Sequence, residues 1–447
     1  MNRDIEQELM SWKNKSERIP LLLRGARQVG KSYSVEEFGK KAFENVVVVN
    51  FEFQPELKQC FATLNPIEII NKLQILMGVT IDSEKTLLFL DEIQECPNAI
   101  MSLRYFKEQY NKLAVIGAGS LMEFTLNSPD FRMPVGRVQF MYLEPLSFGE
   151  FLSVSGNGNL RNYLGAIHIN SDIEDAIHHK LIELLRVYWI VGGMPAVVKE
   201  YLDTKSYVNC QRLQNSLLQT YRSDFGKYAK RSEHNHLRKV FDEAPRLVGN
   251  RLKYSHIDPE AKSKDLKNAL NLLKLAGIIH PIFATAASGL PLGAQTNEAK
   301  FKLNFLDIGL MQNACGLQKQ LLVTNDFIQV NAGAVAEQFI GQELIAHVDS
   351  YLEHNLFFWA RDKKGSSAEV DFVVVVDSSI FPVEVKAGKT GTLKSLRLFI
   401  DEKQVPLGIR FSQQNPSFFD KVLTVPLYMV EQMQRLVKEV ISGETFQ

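Results

Sequence analysis

The segment Leu21–Ser32 reads Leu-Leu-Leu-Arg-Gly-Ala-Arg-Gln-Val-Gly-Lys-Ser, and it leaves the chain around it little choice of fold. Gly25 and Gly30, followed directly by Lys31 and Ser32, have the G-x-x-x-x-G-K-[ST] spacing of a phosphate-binding loop. Glycine lets the backbone turn its N–H groups inward, so Gly25, Ala26, Arg27, Gln28, Val29 and Gly30 are expected to cradle a polyphosphate at a helix N-terminus. Lys31 is expected to hold the β- and γ-phosphates and Ser32 to give its hydroxyl to Mg²⁺. A ligand-free glycine turn has the same string, but it does not require what flanks this one. Pro20 and a short apolar run predict a buried strand, and Tyr33–Phe43 predicts a helix, the strand–loop–helix setting the motif needs.

The next elements supply the other half of such a site. Asn45–Phe51, with four consecutive valines, predicts a strand buried on both faces of a parallel sheet. Pro66–Met77 predicts a helix. Thr86–Leu90 predicts a strand that runs into Asp91 and Glu92. At the end of such a strand Asp91 suits Mg²⁺, and Glu92 suits the orientation of a water attacking a γ-phosphate. Ala99–Tyr110 predicts a helix and Leu113–Gly117 a strand ending near Gly119 and Ser120. Ser120 is read either as a sensor of the γ-phosphate or as a turn serine. Arg132 and Arg137 flank Met133-Pro134-Val135-Gly136, and Arg137 is the candidate to stabilise phosphoryl transfer, from the same chain or a neighbour. Phe140–Phe151 is expected to close the unit with another strand and the segment Glu144-Pro145-Leu146-Ser147.

A length of 447 residues predicts about three domains at ~150 residues each. Lysine plus arginine equals aspartate plus glutamate at 51 each, which removes any overall electrostatic bias towards nucleic acid. Tyr221–Tyr254 is the local exception, with nine basic against four acidic residues. No apolar run approaches the ~18 residues of a membrane span, and Met1–Ser16 is polar, so a cytoplasmic protein with no membrane partner is expected. Cys60, Cys96, Cys210 and Cys315 form no C-x-x-C pair and predict neither disulfides nor zinc.

Downstream, Ile173–Val191 predicts a helix broken by Gly192-Gly193-Met194-Pro195, and Asn209–Tyr228 predicts another. A helix beginning at Ser263 and stopped by Gly277 precedes two strands, Ile278–Phe283 and Phe301–Leu306. Val335–His347 predicts a helix carrying Glu337. Glu369–Val376 and Phe381–Lys386 predict strands, with Asp371 on the first and Glu384 and Lys386 on one face of the second. Gly388 is expected to end that strand, and Thr392–Ile400 to resume as a helix.

Together the glycine loop, Leu90-Asp91-Glu92-Ile93-Gln94, Gly119-Ser120, Gly136-Arg137, Leu143-Glu144-Pro145-Leu146-Ser147-Phe148 and Gly192-Gly193-Met194-Pro195 resemble a prokaryotic AAA+-type ATPase family. Its members carry a C-terminal domain of unknown function. The family usually has threonine at Ser32 and an aromatic residue at Met194. The resemblance implies ATP and Mg²⁺ as cofactors and a winged helix in the middle of the chain. Asp371 and Glu384-Val385-Lys386 resemble the PD-(D/E)XK nuclease core, which implies Mg²⁺ on Asp371 and Glu384, a water steadied by Lys386, and Glu337 as an additional acid. The expected architecture is α/β. It has a P-loop parallel-sheet domain at 1–155, a helical region at 156–232, a winged-helix-like domain at 233–325 and a restriction-endonuclease-like domain at 326–447. Two functions are open: an ATPase gating a nuclease that acts on DNA or RNA, or a nucleotide-dependent switch whose C-terminal domain binds a protein partner and cuts nothing.

Overall fold

A computed structural model describes residues 1–127, 131, 136–317, 332–361, 368–386 and 392–443. The chain divides into two compact units. Unit 1 comprises Met1–Glu144, Leu275–Gly277 and Val348–Glu353, and unit 2 the remainder. Arg132, Met133, Pro134, Val135 and Gly388 lie outside the described residues.

Unit 1 is built on a parallel sheet of β1 (Leu21–Arg24), β2 (Asn45–Asn50), β3 (Thr86–Asp91), β4 (Ala114–Ala118) and β5 (Gln139–Tyr142), in the order β2-β3-β4-β1-β5. Burial follows position in the sheet. β3 and β4 are buried at every residue, as central strands flanked on both sides must be. β2 is an edge strand, and Val46 and Val48 are only half-buried, so the expectation of burial on both faces is corrected. The helices Pro66–Met77 and Pro97–Gln109 each start with proline, whose missing N–H costs a first turn nothing. Leu73, Leu103 and Phe106 pack with Leu88 and Leu90 into the core.

Within Phe140–Phe151 the closing strand ends at Tyr142, and Phe148–Val154 is helical. Pro145 cannot continue a sheet ladder, and Ser147 opens the helix through a capping box with Glu150. The first segment of unit 1 therefore ends at Glu144.

Unit 2 holds an eight-stranded mixed sheet. It contains β6 (Ile279–Thr285), β7 (Thr296–Phe305), β8 (Leu356–Ala360), β9 (Glu369–Val376), β10 (Ser379–Val385), β11 (Gly408–Ser412), β12 (Ser417–Phe419) and β13 (Val422–Pro426), ordered β12-β13-β11-β10-β9-β8-β6-β7. β9 and β10 form a hairpin whose turn residues, Asp377 and Ser378, both have positive φ, as a two-residue turn that matches strand twist requires. β6 and β7 are the antiparallel pair expected to be the wing of a separate module at 233–325. The pair is not separate. β6 leaves an edge that β8 takes up in parallel, so both strands extend the sheet of the C-terminal region. Four of the nine basic residues of the stretch 221–254 are paired, Arg222 with Asp242, Lys239 with Asp258, Arg246 with Glu243 and Arg251 with Glu369.

The Gly192-Gly193 break in the helical layer has a physical cause. Gly192 has φ 76° and ψ −171°, a conformation open essentially to glycine alone, and a Cβ there would overlap the Asp307 carboxylate. Asp307 accepts from Gly193 N (2.6 Å) and from Leu310 N (2.9 Å), so it caps the helix Ile308–Ala314 and pins the break at once. Gly193 O accepts from Leu146 N (2.8 Å), and Tyr188 donates its hydroxyl to Leu146 O (2.5 Å). Gly192→Ala is expected to destabilise unit 2 by about 3 kcal/mol through backbone strain and the lost Asp307 contact, read as a lower urea midpoint with unit 1 unchanged.

Candidate functional site

The loop after β1 is shaped by its surroundings in unit 1. Gly25 has φ 138°, and a Cβ there would overlap the carbonyl of Leu143, so only glycine passes between the two backbones. Gln28 (φ 68°) and Gly30 (φ 95°) turn the loop before the helix Lys31–Ala42 begins. Arg3 braces it from outside, donating to Val29 O (3.1 Å) and to Glu144 O (2.7 Å). Lys31, 7% exposed, donates its ammonium to Gly25 O (2.9 Å) and Ala26 O (2.7 Å), lying across the loop it belongs to. Burial pulls its pKa down to about 8, against Glu92, Asp91 and Glu144, which hold it up. Burial pushes Glu144 up to about 7, while Lys31 and Arg3 pull it back.

The register brings the remaining groups to the same edge. Asp91 is level with Ala118, and Ala118 with Leu23, so Asp91, Gly119-Ser120 and the loop meet at the carboxyl ends of three adjacent strands. Ser32 Oγ donates to Asp91 Oδ1 (2.9 Å), and Asn50 donates to Asp91 Oδ2 (2.9 Å). Glu92, at φ 48°, accepts from Gln94 Nε2 (2.6 Å). A Cβ at Gly119 would overlap the Gln94 amide, so that glycine makes room for the side chain holding Glu92. Ser120 is buried at this edge. The residues fit a Mg²⁺–nucleotide: a loop that admits only glycine at its closest approach, a buried ammonium facing oxygens, and a hydroxyl beside a carboxylate, the hard oxygen ligands Mg²⁺ takes.

Arg137 does not belong to this cluster within one chain. It lies just before β5, and β5 begins at Gln139 opposite Leu21, the first residue of β1. That is the amino-terminal edge of the sheet, opposite the loop. There Arg137 is exposed and donates to Glu108 Oε1 (2.9 Å) at the end of its helix. Of the two roles left open for it, in its own chain or for a neighbour, this position lies away from the loop of its own chain.

Unit 2 gathers a second set of charges. Lys302 on β7, Glu337 on the helix Ala332–Ala346, Glu369 and Asp371 on β9, and Glu384 on β10 converge, with Lys386 directly after β10. The Lys302 ammonium, 2% exposed, lies 2.5 Å from Glu369 Oε1, 3.4 Å from Glu337 Oε2 and 3.7 Å from Asp371 Oδ1. Lys386 pairs with Glu384 (2.5 Å), and Asp371 Oδ2 accepts from Val385 N (2.8 Å). Burial raises the pKa of Glu337, Asp371 and Glu384. Burial acts to lower Lys302, yet Glu337, Asp371 and Glu369 hold it above the ordinary lysine range. Among the described residues no group of three or more His, Cys, Asp or Glu is arranged to hold a metal ion. The metal expected on Asp371 and Glu384 does not fit this arrangement.

Residues 17–152 match the family model described as an AAA domain. These residues form an AAA-type ATPase domain. Residues 182–321 match a domain of unknown function, DUF8612, and residues 332–429 another, DUF4143. No curated protein matches the chain. Among solved structures the chain is similar to a Walker-type ATPase of Pyrococcus abyssi, at 15% identity over 70% of this chain and 95% of that one, TM-score 0.44. It is similar to the Aeropyrum pernix ORC1 protein in complex with DNA at 12% identity, covering 72% of this chain and 94% of that one, TM-score 0.30. The Thermotoga maritima RuvB Holliday junction branch migration motor matches at 13% identity over 62% of this chain and 89% of that one, TM-score 0.30. Among the described residues no helix is long and apolar enough to cross a membrane.

Arg3 and Asn50 stand at this site without having been singled out in the sequence, and Gln94 and Glu144 stand there from motifs in which they were given no role. Gln94 stands two residues after Glu92 and was legible from that spacing; Arg3 and Glu144 reach the loop only through the fold. Lys31 holds phosphate only when protonated, and phosphate charge raises its pKa. Nucleotide binding is therefore expected to take up a proton above about pH 8, with affinity falling as pH rises through that value, measured by calorimetry in buffers of different ionisation heat.

Proposed function

We propose that the protein is a Mg²⁺-dependent ATPase whose turnover switches the state of a C-terminal unit that binds a partner and does not cleave nucleic acid. The observation that carries the ATPase reading is the Ser32–Asp91 hydrogen bond beside the buried Lys31, a preformed oxygen pair at the mouth of a phosphate loop. Gly25, Ala26, Arg27, Gln28, Val29 and Gly30 would wrap the phosphates with backbone N–H groups, and Lys31 would leave its two carbonyls for phosphate oxygens. Ser32 and Asp91 would hold Mg²⁺, whose charge offsets that of the phosphates. Glu92, steadied by Gln94, orients the attacking water, and Ser120 senses the γ-phosphate. Arg137, on the opposite edge of its own sheet, serves the site of a neighbouring copy.

A covalent link supports the switch. The helix Ser263–Leu275 lies in unit 2 up to Lys274 and ends in Leu275–Gly277, which belong to unit 1. Gly277, at φ 71°, lies against Ala26 of the phosphate loop, where a Cβ would come within 3.2 Å of the Ala26 side chain. A loop that rearranges around phosphate presses on the end of that helix.

The nuclease-gating reading of Asp371, Glu384 and Lys386 rests on their convergence with Glu337, and the Lys302 ammonium among them counts against it. Lys31→Ala is expected to abolish ATP binding. Glu92→Gln should keep binding while lowering kcat by on the order of 10²-fold or more; normal turnover in both would remove the site assignment. On a panel of single- and double-stranded DNA and RNA with Mg²⁺, with and without ATP, the wild type should cut nothing. Cleavage lost in Asp371→Ala and Lys386→Ala, with ATP turnover intact, would replace the switch by the nuclease.

A further inference from the structure

Burying four carboxylates in one place demands cations, and unit 2 provides them from its own chain. Arg251 takes Glu369 Oε2 (2.5 Å), Lys386 takes Glu384 Oε1 (2.5 Å), and Lys302 stands among the remaining oxygens of Glu369, Glu337 and Asp371. An ammonium has three donors and meets three carboxylates from two different elements, so its geometry is matched by its surroundings. Lys302 is fully buried, with its ammonium 5.4 Å from the centre of the Phe358 ring, and its flanking residues Phe301 and Leu303 are buried as well. It has no route by which to withdraw into water while β7 stays in the sheet.

A divalent ion binds carboxylate oxygens at 2.0–2.6 Å. On Asp371 Oδ1 and Glu337 Oε2 it would stand beside the Lys302 ammonium, two like charges in a water-poor site. One oxygen of the cluster remains open: Glu384 Oε2, on a side chain 7% exposed, has no hydrogen-bond partner among the described residues. It is a ligand position that Lys302 does not reach.

We propose that Lys302 is the resident cation of this cluster, standing among the oxygens of Glu337, Glu369 and Asp371 where a divalent ion would have to sit, so that removing its ammonium opens a divalent-cation site on those carboxylates. The inference rests on the reading of the C-terminal unit as a non-cleaving one, and it explains that reading by one residue. It makes the unit a charge-compensated binding module, with Lys302 doing for its fold what a metal does for a metal-dependent nuclease core.

The test is Mn²⁺ binding to the full chain without nucleotide, followed by electron paramagnetic resonance, on wild type, Lys302→Met, Lys302→Met/Asp371→Asn and Asp371→Asn. Lys302→Met is expected to bind one Mn²⁺ more than wild type, to lose it again when Asp371→Asn is added, and to be stabilised against heat by Mn²⁺ where wild type is not. A folded Lys302→Met that gains no Mn²⁺ overturns the proposal. If Lys302→Met does not fold, wild type and Asp371→Asn decide it alone: equal Mn²⁺ binding upholds the proposal, and one Mn²⁺ fewer in Asp371→Asn overturns it. Wild type that binds Mn²⁺ at Asp371 and still cuts nothing overturns this inference and leaves the non-cleaving reading standing.

Discussion

A buried ammonium must be matched by oxygens where it lies, and in this chain that requirement falls on two lysines with opposite solutions. Lys31 donates to two peptide carbonyls of its own loop, and burial pulls its pKa down to about 8 against Glu92, Asp91 and Glu144. Lys302 is matched by three carboxylates and is held above the ordinary range despite equal burial. The first lysine gains from the arrival of an anion; the second is already satisfied. Lys31 thus has neutral partners at hydrogen-bond distance, and Lys302 has charged ones. Arg3, Leu143 and Gly277 hold the loop in which Lys31 waits, and the hairpin of β9 and β10 with the helix Ala332–Ala346 holds the cage around Lys302.

Much of unit 1 was legible because its chemistry is local. The glycines, Lys31 and Ser32 lie in one short run, Asp91 and Glu92 close one strand, and parallel strands carry both to the same edge. What the sequence could not show is which edge of the sheet a residue reaches. Arg137 follows the nucleotide motifs in the chain, yet it precedes β5 rather than following it, and so lies at the opposite edge from the loop. β2 misled for a related reason: a run of valines predicts a strand, but not whether a neighbour covers it.

In unit 2 four of the eight strands, β6, β7, β9 and β10, were legible and their pairing was not, while β8, β11, β12 and β13 went unread. Alternation placed β9 and β10 and put Glu384 and Lys386 on one face, but β6 and β7 read as a separate wing because nothing in their residues names β8 as the parallel neighbour. That pairing puts Lys302 into the acidic cluster. A lysine between Phe301 and Leu303 has the pattern of a solvent-facing strand residue, and only the sheet order turns its face inward. Gly192-Gly193 shows the converse case, a motif visible in the sequence whose partner, Asp307, lies more than a hundred residues away and gives it a structural meaning.

The chain passes between the units at Leu275–Gly277, and Gly277 rests on Ala26 of the phosphate loop. A nucleotide-driven switch requires that nucleotide be felt beyond unit 1. Hydrogen exchange of the full-length protein, compared with and without a non-hydrolysable ATP analogue and Mg²⁺, measures this directly. The account predicts altered protection in the phosphate loop, along the helix Ser263–Leu275 and onward into β6 and β7. Changes confined to residues of unit 1 would contradict it.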